Sequence, residues 1–352
     1  MNVFPGSGYE YPADPNNCTF RHLKSLVAPA VSPWAHEAES HARGWVRAFD
    51  LVRSDRAKER FDKTAAGELA ARVYASAVSS LKLAAAADWI GWLFFLDDQL
   101  DEGHVGRDPA VANAFLQPLA ESLCEKLANR LPDGSPLLAA LSDIRRRVLP
   151  TMPVAWQGRF TRHVADYLNG CEWEAANRAH GRVPCLDEFP SRRRAAGAIW
   201  PSLDLLEFVT DAPLPDRVYG DPLFAEMCEA AADVVCWTDD VLTLDKERAC
   251  GDVHNLVIVL EHATGCTTTV AMMRAAHQID SRLADFMMCE RRLEEMFGRI
   301  GADDAVQVAA GKYVTGLRNW MRGHLDWGLH TIRYHSVEHT ATGLAPTYLE
   351  IL

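Results

Sequence analysis

The 352-residue sequence lacks the usual marks of a secreted or membrane-embedded protein. Its N-terminus, MNVFPGSGYEYPADPNN, contains neither the basic nor the apolar region of a signal peptide. The longest clean apolar run, Trp89 to Leu96, is far too short to cross a bilayer. Its nine cysteines form no CxxC pair, which favours reduced thiols over a disulfide framework. We therefore expect a cytoplasmic protein without membrane insertion.

Positive charge is also scarce, since 36 Lys and Arg residues face 48 Asp and Glu residues and leave a net charge of -12. An acidic surface repels nucleic acid and anionic membranes, so neither is expected as a partner. The same surface repels an anionic substrate, which would need metal ions or a local basic cluster. No Ser/His/Asp or Cys/His arrangement and no glycine-rich phosphate loop stands out.

Strand alternation is absent from the sequence as well, whereas helical periodicity runs from about residue 35 nearly to the end. Segments such as GELAARVYASAVSSL and LLAALSDIRRRVL repeat apolar residues at three- and four-residue steps. Turn signals such as GRDP, LPDGSP and DAPLPD separate these segments. Residues 1–34 are rich in Pro, Gly and Asn and are expected to form a loop-like strap. The pattern predicts an all-α, single-domain helical bundle over residues 35–352.

An acidic cluster follows the apolar run WLFFL and comprises Asp97, Asp98, Asp101 and Glu102. Asp97 and Asp101 are four residues apart and therefore share a helix face. Carboxylates on one helical turn repel one another, and acidic residues at a helix C-terminus oppose the helix dipole. Such clustering becomes favourable when the carboxylates bind a hard divalent cation such as Mg²⁺. A charged helix end is the alternative interpretation.

A second cluster lies in DDVLTLDKE, where Asp239, Thr243 and Glu247 follow one another at four-residue steps. On a helix these oxygen-bearing side chains form one stripe, which can hold one Mg²⁺. Lys246, which lies between them, can reach a phosphate as a point charge. An ordinary amphipathic helix with a capping threonine explains the same pattern equally well.

Together the two clusters resemble the aspartate-rich motif and the NSE triad of class I terpene synthases of the bacterial type. Asp239 stands where Asn is commoner and Thr243 where Ser is commoner, but both keep an oxygen ligand. The resemblance implies a helical bundle with an active-site cavity in its core and a C-terminal lid segment. It also implies three Mg²⁺ ions, two bound by Asp97 together with Asp101 and the third by Asp239, Thr243 and Glu247. Which carboxylates between 97 and 102 bind the ions directly is left open.

A basic segment ahead of the second cluster, SRRRAAG, resembles the diphosphate-sensing turn of the same family. In that pattern an arginine lies four residues before a glycine at a helix break, which corresponds to Arg193 and Gly197. Ala196, between them, lacks the polar side chain often found there. Guanidinium suits phosphate because its donors fork and it stays protonated. Pro201 favours an unwound turn after Gly197, although an arginine triplet is ordinarily a solvated surface.

Near the C-terminus, Arg333 and Tyr334 resemble the family's RY pair, which binds diphosphate as the active site closes. A dipeptide is a weak signal alone, but four motifs occur here in the family's order within residues 35–335. The resemblance implies that Arg193, Lys246, Arg333 and Tyr334 bind the substrate diphosphate. Aromatic candidates for facing the carbocation, each of which also fits an ordinary core position, are Trp92, Phe94, Phe95, Trp200 and Trp320.

The implied activity is cyclisation of a linear prenyl diphosphate, with farnesyl diphosphate favoured over geranylgeranyl diphosphate. A chain-coupling isoprenyl diphosphate synthase shares the fold and the first motif, but it would carry a second DDxxD instead of the stripe at 239–247. A non-catalytic helical binding protein would explain the bundle but not two inward acidic clusters beside basic elements. The product and the oligomeric state, with a homodimer as one option, are left open.

Overall fold

The computed structural model describes residues 20–123, 135–335 and 352, and within those ranges the chain forms helices and loops without any strand. The all-α prediction is therefore confirmed. The helices are α1 (Arg21–Leu26), α2 (Ala35–Ala48), α3 (Asp55–Thr64), α4 (Ala66–Val73), α5 (Ser80–Asp101), α6 (Pro109–Ser122), α7 (Pro136–Val148), α8 (Val154–His180), α9 (Phe189–Ala196), α10 (Ile199–Thr210), α11 (Asp216–Tyr219), α12 (Pro222–Cys250), α13 (Leu256–Thr264), α14 (Thr268–Arg291), α15 (Leu293–Ile300), α16 (Asp304–Gly328) and α17 (Ile332–His335). Short 3₁₀ turns lie at Val105–Arg107 and Leu149–Thr151.

The two helices that carry the acidic clusters, α5 and α12, begin and end at residues suited to those positions. Ser79 caps α5, because its side chain accepts a hydrogen bond from the backbone N–H of Lys82 at 3.3 Å. Asp221 caps α12 by accepting from the backbone N–H of Leu223 at 2.9 Å. Helix α12 stops at Gly251, whose φ of 72° lies in the left-handed region that glycine adopts at little cost.

Helix α5 runs through the core and is buried on every side along residues 83–92. Even the carboxylate of Asp88 is fully buried there, and Arg147 and His41 compensate its charge at 2.7 and 3.0 Å. Helix α5 packs against α2, α4, α7 and α10, whereas α12 packs against α13, α14 and α16. The candidate site lies between these two groups of helices.

The N-terminal strap predicted for residues 1–34 is only partly a loop. Residues 1–19 lie outside the described residues, but α1 occupies part of the remainder. Phe20, Leu23 and Val27 are buried against the core, and Arg322 donates hydrogen bonds to the backbone oxygens of Lys24 and Val27 at 3.0 and 2.7 Å. A six-residue helix offers too few turns for periodicity to reveal it, which explains why the sequence pattern missed it. A C-terminal lid segment was also expected, and residues 336–351 at that end of the chain lie outside the described residues.

Two further features of the described residues concern the length of the apolar helices and the state of the cysteines. Among the residues that the structure describes, no single helix is long and apolar enough to span a membrane. Helices α13 and α14 meet those criteria only as a pair, by length and composition, and they are bent by 119° at their junction. The seven cysteines in the described ranges are free thiols, whereas Cys18 and Cys124 lie outside those ranges.

Gly67 lies in α4 where the backbone of α2 passes directly over it, and a Cβ at this position would lie 2.3 Å from Glu39 Cα. We predict that Gly67→Ala lowers the free energy of unfolding by about 1–3 kcal/mol, because the two helices must move apart. The matched control is Gly44→Ala, an exposed position in α2 with nothing within 4 Å. It should raise that free energy by about 0.5–1 kcal/mol, since alanine is the better helix former. Chemical denaturation measures both, and a Gly67→Ala variant as stable as the parent would contradict the close approach.

Candidate active site

A large cavity opens between α5, α8, α12 and α16, and the turn that joins α9 to α10 forms part of its wall. Its charged side chains are Asp97, Asp101, Glu174, Arg193, Asp239, Lys246, Glu247, Asp252 and Arg333. Its apolar and aromatic side chains include Leu69, Ile90, Leu93, Phe94, Ile199, Val235, Trp320 and Trp327. The cavity predicted for the bundle core is thus present, and residues of both acidic clusters line it.

The first acidic cluster is divided between the cavity and its surroundings. Asp97 and Asp101 line the cavity, as their shared helix face predicts. Arg333 joins two carboxylates of the cluster, with its Nη2 2.8 Å from Asp97 Oδ2 and its Nη1 2.5 Å from Asp98 Oδ1. Asp98 lies outside the cavity lining, so its contact with Arg333 is what connects it to the site.

Glu102, predicted among the metal ligands, lies elsewhere. Its side chain is fully buried outside the cavity lining, with Oε1 2.8 Å from Lys246 Nζ and 3.8 Å from Arg60 Nη2. A helix turns by about 100° per residue, so the position after Asp101 points toward α12 rather than into the cavity. The sequence interpretation of Glu102 is therefore corrected: its carboxylate holds Lys246 in place.

The stripe of Asp239, Thr243 and Glu247 lies along the cavity, as the four-residue spacing predicts. Thr243 Oγ1 is 2.7 Å from Glu247 Oε1 and 2.8 Å from the backbone oxygen of Asp239. Asn255 Nδ2 donates to Glu247 Oε2 at 2.7 Å and so holds the far end of the stripe. Local helix geometry and one residue from the following loop therefore orient all three oxygen-bearing side chains.

Asp240 lies close enough to the stripe to be considered with it, since one carboxylate oxygen each from Asp239, Asp240 and Glu247 lie within 4.8 Å of one another. Both oxygens of Asp240 are already used, however. Oδ1 accepts from Arg193 Nε at 2.8 Å and Oδ2 accepts from the backbone N–H of Leu256 at 2.9 Å. Asp240 is also fully buried and lies outside the cavity lining, whereas Asp239 and Glu247 line the cavity, so these two are the better placed of the three to bind a metal ion.

Of the three consecutive arginines, only Arg193 lines the cavity. Its Nη2 lies 2.8 Å from Asp239 Oδ2, so it contacts the second acidic cluster directly. Arg194 pairs instead with Asp233 at 2.7 Å, and Arg192 is exposed. The structure therefore selects the same arginine of the triplet as the family pattern.

The helix break predicted at Gly197 is present, because α9 ends just before it and α10 begins after Ala198. Ala198 has a φ of 52°, in the left-handed region that non-glycine residues rarely adopt. Pro201 has no N–H with which to bond the carbonyl of Gly197 four residues back. Gly197 itself is needed for space, since a Cβ there would lie 2.6 Å from Arg193 Nη1.

The C-terminal pair connects the two acidic clusters. Arg333 contacts the first cluster, and its guanidinium lies 4.5 Å from the ring centroid of Phe94. Tyr334 contacts the second cluster, where its hydroxyl donates to Asp239 Oδ1 at 2.5 Å. His324 Nε2 lies 3.3 Å from the same carboxylate oxygen and 3.2 Å from the Tyr334 hydroxyl. Helix α17 therefore bridges the site from the C-terminal side.

A buried arginine on α8, Arg178, joins the first acidic cluster to Asp252 in the loop after α12, and it was not predicted. Its Nη2 bonds to Asp101 Oδ1 and lies 2.7 Å from Asp252 Oδ2 and 3.4 Å from Glu174 Oε2. His254 Nδ1 in turn lies 2.6 Å from Asp252 Oδ1. The spacing of Glu174 and Arg178 was visible in the sequence, but such pairs are common on exposed helix faces. Only the packing of α8 shows that this pair is part of the site.

Two of the five predicted aromatic side chains, Phe94 and Trp320, line the cavity. The prediction is wrong for the other three. Trp92 is fully buried and stacks on its neighbour in α5 at 5.3 Å, and Phe95 stacks on a phenylalanine of α3 at 5.3 Å. Trp200 lies beside a histidine ring of α8 at 6.1 Å. Each of the three belongs to a helix face that packs against another helix.

The crowded carboxylates perturb one another. Burial and the nearby charge of Asp97 raise the pKa of Asp101 to about 7. Burial and two neighbouring carboxylates also raise the pKa of Glu247 well above its usual range. Asp239 differs: burial acts to raise its pKa, but the hydrogen bond and charge of His324, the charge of Arg193 and the hydrogen bond from Tyr334 together lower the pKa well below its usual range. A bound cation would relieve the repulsion among these groups.

Comparison with known proteins defines the class. A family model for the C-terminal metal-binding region of terpene synthase family 2 matches residues 88–285, which include both acidic clusters. The fold and the site therefore define a metal-binding terpene synthase. Because the match spans more than half of the chain, the chain belongs to this family.

Individual relatives agree with the family match. The chain is 38% identical over 304 residues to (-)-delta-cadinene synthase of Streptomyces clavuligerus, covering 86% of this chain and 91% of that protein. It is 35% identical over 318 residues to (+)-T-muurolol synthase of Roseiflexus castenholzii, covering 88% and 93%. The solved linalool/nerolidol synthase of Streptomyces clavuligerus superposes with a TM-score of 0.78 at 28% identity, covering 86% and 98%. The chain is thus an enzyme of the class I terpene synthase type.

The close approach of Arg193 to Gly197 predicts what an added methyl group would do to activity. A methyl group there would displace the Arg193 guanidinium, which Asp239 and Asp240 hold from the other side. We predict that Gly197→Ala lowers turnover of a prenyl diphosphate by about a hundredfold, the scale expected for a misplacement of about 1 Å in an active site. Steady-state kinetics measure the loss. Gly311→Ala, at an exposed position of α16 with nothing within 4 Å, is the control and should keep parental turnover.

Proposed function

We propose that this enzyme is a Mg²⁺-dependent terpene cyclase that ionises farnesyl diphosphate and cyclises the carbocation to a sesquiterpene hydrocarbon or alcohol. Geranylgeranyl diphosphate is the second candidate substrate. The observation that carries the proposal is that carboxylates of α5 and α12 line one cavity together with Arg193, Lys246 and Arg333.

The donor set fits a hard divalent cation. Carboxylate and hydroxyl oxygens are the ligands that Mg²⁺ prefers, and Asp239, Thr243 and Glu247 offer three on one helix stripe. Asp97 and Asp101 of α5 offer two further carboxylates to the same cavity. The resemblance to class I terpene synthases implies three ions in all, and we propose that number here. When bound, the ions act as Lewis acids that stabilise charge on the departing diphosphate.

Four side chains are proposed to bind the diphosphate: Arg193, Lys246, Arg333 and Tyr334. Each of the four is now held by a carboxylate, namely Asp239 and Asp240 for Arg193, Glu102 for Lys246, Asp97 and Asp98 for Arg333, and Asp239 for Tyr334. These contacts orient the donors toward the cavity before substrate arrives, which lowers the reorganisation needed when charge develops on the leaving group. Fork-shaped guanidinium donors match phosphate oxygens particularly well.

The rest of the cavity suits a hydrocarbon chain. Leu93, Ile199 and Val235 provide apolar walls, which exclude the water that would otherwise trap a carbocation early. Phe94 and Trp327 stack at 5.5 Å, and aromatic faces of this kind stabilise a nearby cation by about 1–2 kcal/mol. Loss of a proton or capture of water would end the reaction.

The preference for farnesyl diphosphate draws on the relatives. The Roseiflexus castenholzii protein is named as cyclising (2E,6E)-farnesyl diphosphate. A chain-coupling synthase remains the alternative, and the stripe at 239–247, which stands where that class would carry a second DDxxD, favours cyclisation.

Incubation with farnesyl and geranylgeranyl diphosphate, followed by gas chromatography–mass spectrometry, tests the proposal. We predict cyclic C15 products with Mg²⁺ and none with EDTA. A longer linear diphosphate would instead support chain coupling, and no product from either substrate would contradict the proposal.

Glu247→Gln should lower the yield of those products by at least about a hundredfold, because it removes a charged ligand from the stripe without changing its shape. Asp245→Asn, an exposed carboxylate on the same helix, is the matched control and should act like the parent. Melting temperatures within a few degrees would show that both variants fold. Parental yield from Glu247→Gln would exclude this residue from the metal site.

Mg²⁺ should raise the melting temperature, and the rise should be smaller at pH 6 than at pH 8. Ligands must lose their protons to bind metal. Since the pKa of Asp101 is about 7 and that of Glu247 is well above its usual range, protons compete with Mg²⁺ increasingly as the pH falls through 7. Differential scanning fluorimetry with a MgCl₂ series measures the effect, and equal rises at both pH values would contradict it.

A further inference from the structure

The break between α9 and α10 packs against a glycine of α8. A Cβ at Gly170 would lie 2.8 Å from both the Cα and the N of Ala196, and 3.1 Å from its Cβ. Two of these three atoms belong to the backbone, so no rotation of a side chain could make room for the added methyl group. Real Cβ atoms essentially never lie closer than 3.0 Å to another heavy atom, so even alanine at 170 would push the two segments apart.

The spacing along α8 explains why this contact lies at the cavity. Tyr167 and Glu174 both line the cavity, three residues before and four residues after Gly170. Residues at these steps share one helix face. Gly170 lies between them on this face and carries no side chain, and Ala196 packs directly against it.

The same turn is held on its other side by α12. Arg193, one helical turn before Gly197, contacts Asp239 and Asp240 at 2.8 Å each. The backbone N–H of Gly197 donates to the oxygen of Arg193 at 2.9 Å, which couples the turn to that arginine. Residues 193–198 therefore contact α8 on one side and α12 on the other. A shift of Ala196 would consequently displace the Arg193 guanidinium.

We propose that Gly170 is a positioning residue for catalysis: its missing side chain sets the depth of the turn at 196–197 and thereby the placement of Arg193 against the diphosphate. The inference rests on the diphosphate role proposed for Arg193. A methyl group at 170 would push the turn away from α8. Such a shift would disturb the contacts that Arg193 makes with Asp239 and Asp240.

The test is the affinity of inorganic diphosphate in excess Mg²⁺, measured by isothermal titration calorimetry. Gly170→Ala should weaken this affinity by about tenfold, within the range that a misplacement of about 1 Å produces. In an Arg193→Lys background, the same substitution should change the affinity by less than about twofold, because residues that act through one another are not additive. Gly158→Ala, at an exposed position of the same helix with nothing within 4 Å, should bind like the parent.

Each result has a separate meaning. A parent protein that binds no diphosphate with Mg²⁺ contradicts the proposed function, whereas parental affinity in Gly170→Ala overturns only the role of Gly170. An equal loss in both Arg193 backgrounds also overturns it, since a merely structural defect would ignore the identity of residue 193. If Gly170→Ala does not fold, Ala196→Val replaces it by adding bulk on the other side of the same contact. A folded Ala196→Val protein with parental affinity overturns the proposal too.

Discussion

Mutual repulsion among carboxylates that line one cavity is the constraint on which this structure depends. Helices α5 and α12 bring Asp97, Asp101, Asp239 and Glu247 to one cavity, where the low dielectric strengthens their repulsion. An uncompensated set of this kind would destabilise the bundle. Arginines from three other helices supply the compensation, and the architecture around the cavity can be understood as the means of placing them.

The arginines that compensate the carboxylates are the ones proposed to bind the diphosphate. Arg193 is held by the second cluster, and Arg333 by the first, so neither guanidinium is exposed to bulk water. If cations were bound by Asp97, Asp101, Asp239 and Glu247, the Arg193 and Arg333 guanidinium groups would be released from these pairs and could bind an anionic leaving group in the same cavity. The same charges therefore stabilise the folded protein and are proposed to assist ionisation. They are preorganised because they already lie in the cavity before substrate binds.

Sequence patterns predicted the parts of this site that depend on local geometry. Four-residue spacing on a helix places Asp97 with Asp101 and Asp239 with Glu247 whatever the tertiary fold. The incorrect or missing predictions concern the direction in which a side chain points and the residues that it contacts. Glu102 turns toward Lys246 because of how α5 faces α12, and Trp92 packs within the core although its neighbours line the cavity. Arg178 and His324 gain their roles only when helices distant in sequence pack together, and nothing in their immediate sequence indicates burial.

The central claim is that the two carboxylate-bearing helices bind cations across a shared cavity, and crystallography with Mn²⁺ tests it most directly. Mn²⁺ replaces Mg²⁺ at oxygen sites and has a usable anomalous signal. In crystals grown with Mn²⁺ and inorganic diphosphate, the account predicts anomalous peaks beside Asp97 and Asp101 and beside the stripe at 239–247, with diphosphate between them. Peaks confined to surface carboxylates, with the cavity free of metal and diphosphate, would contradict it.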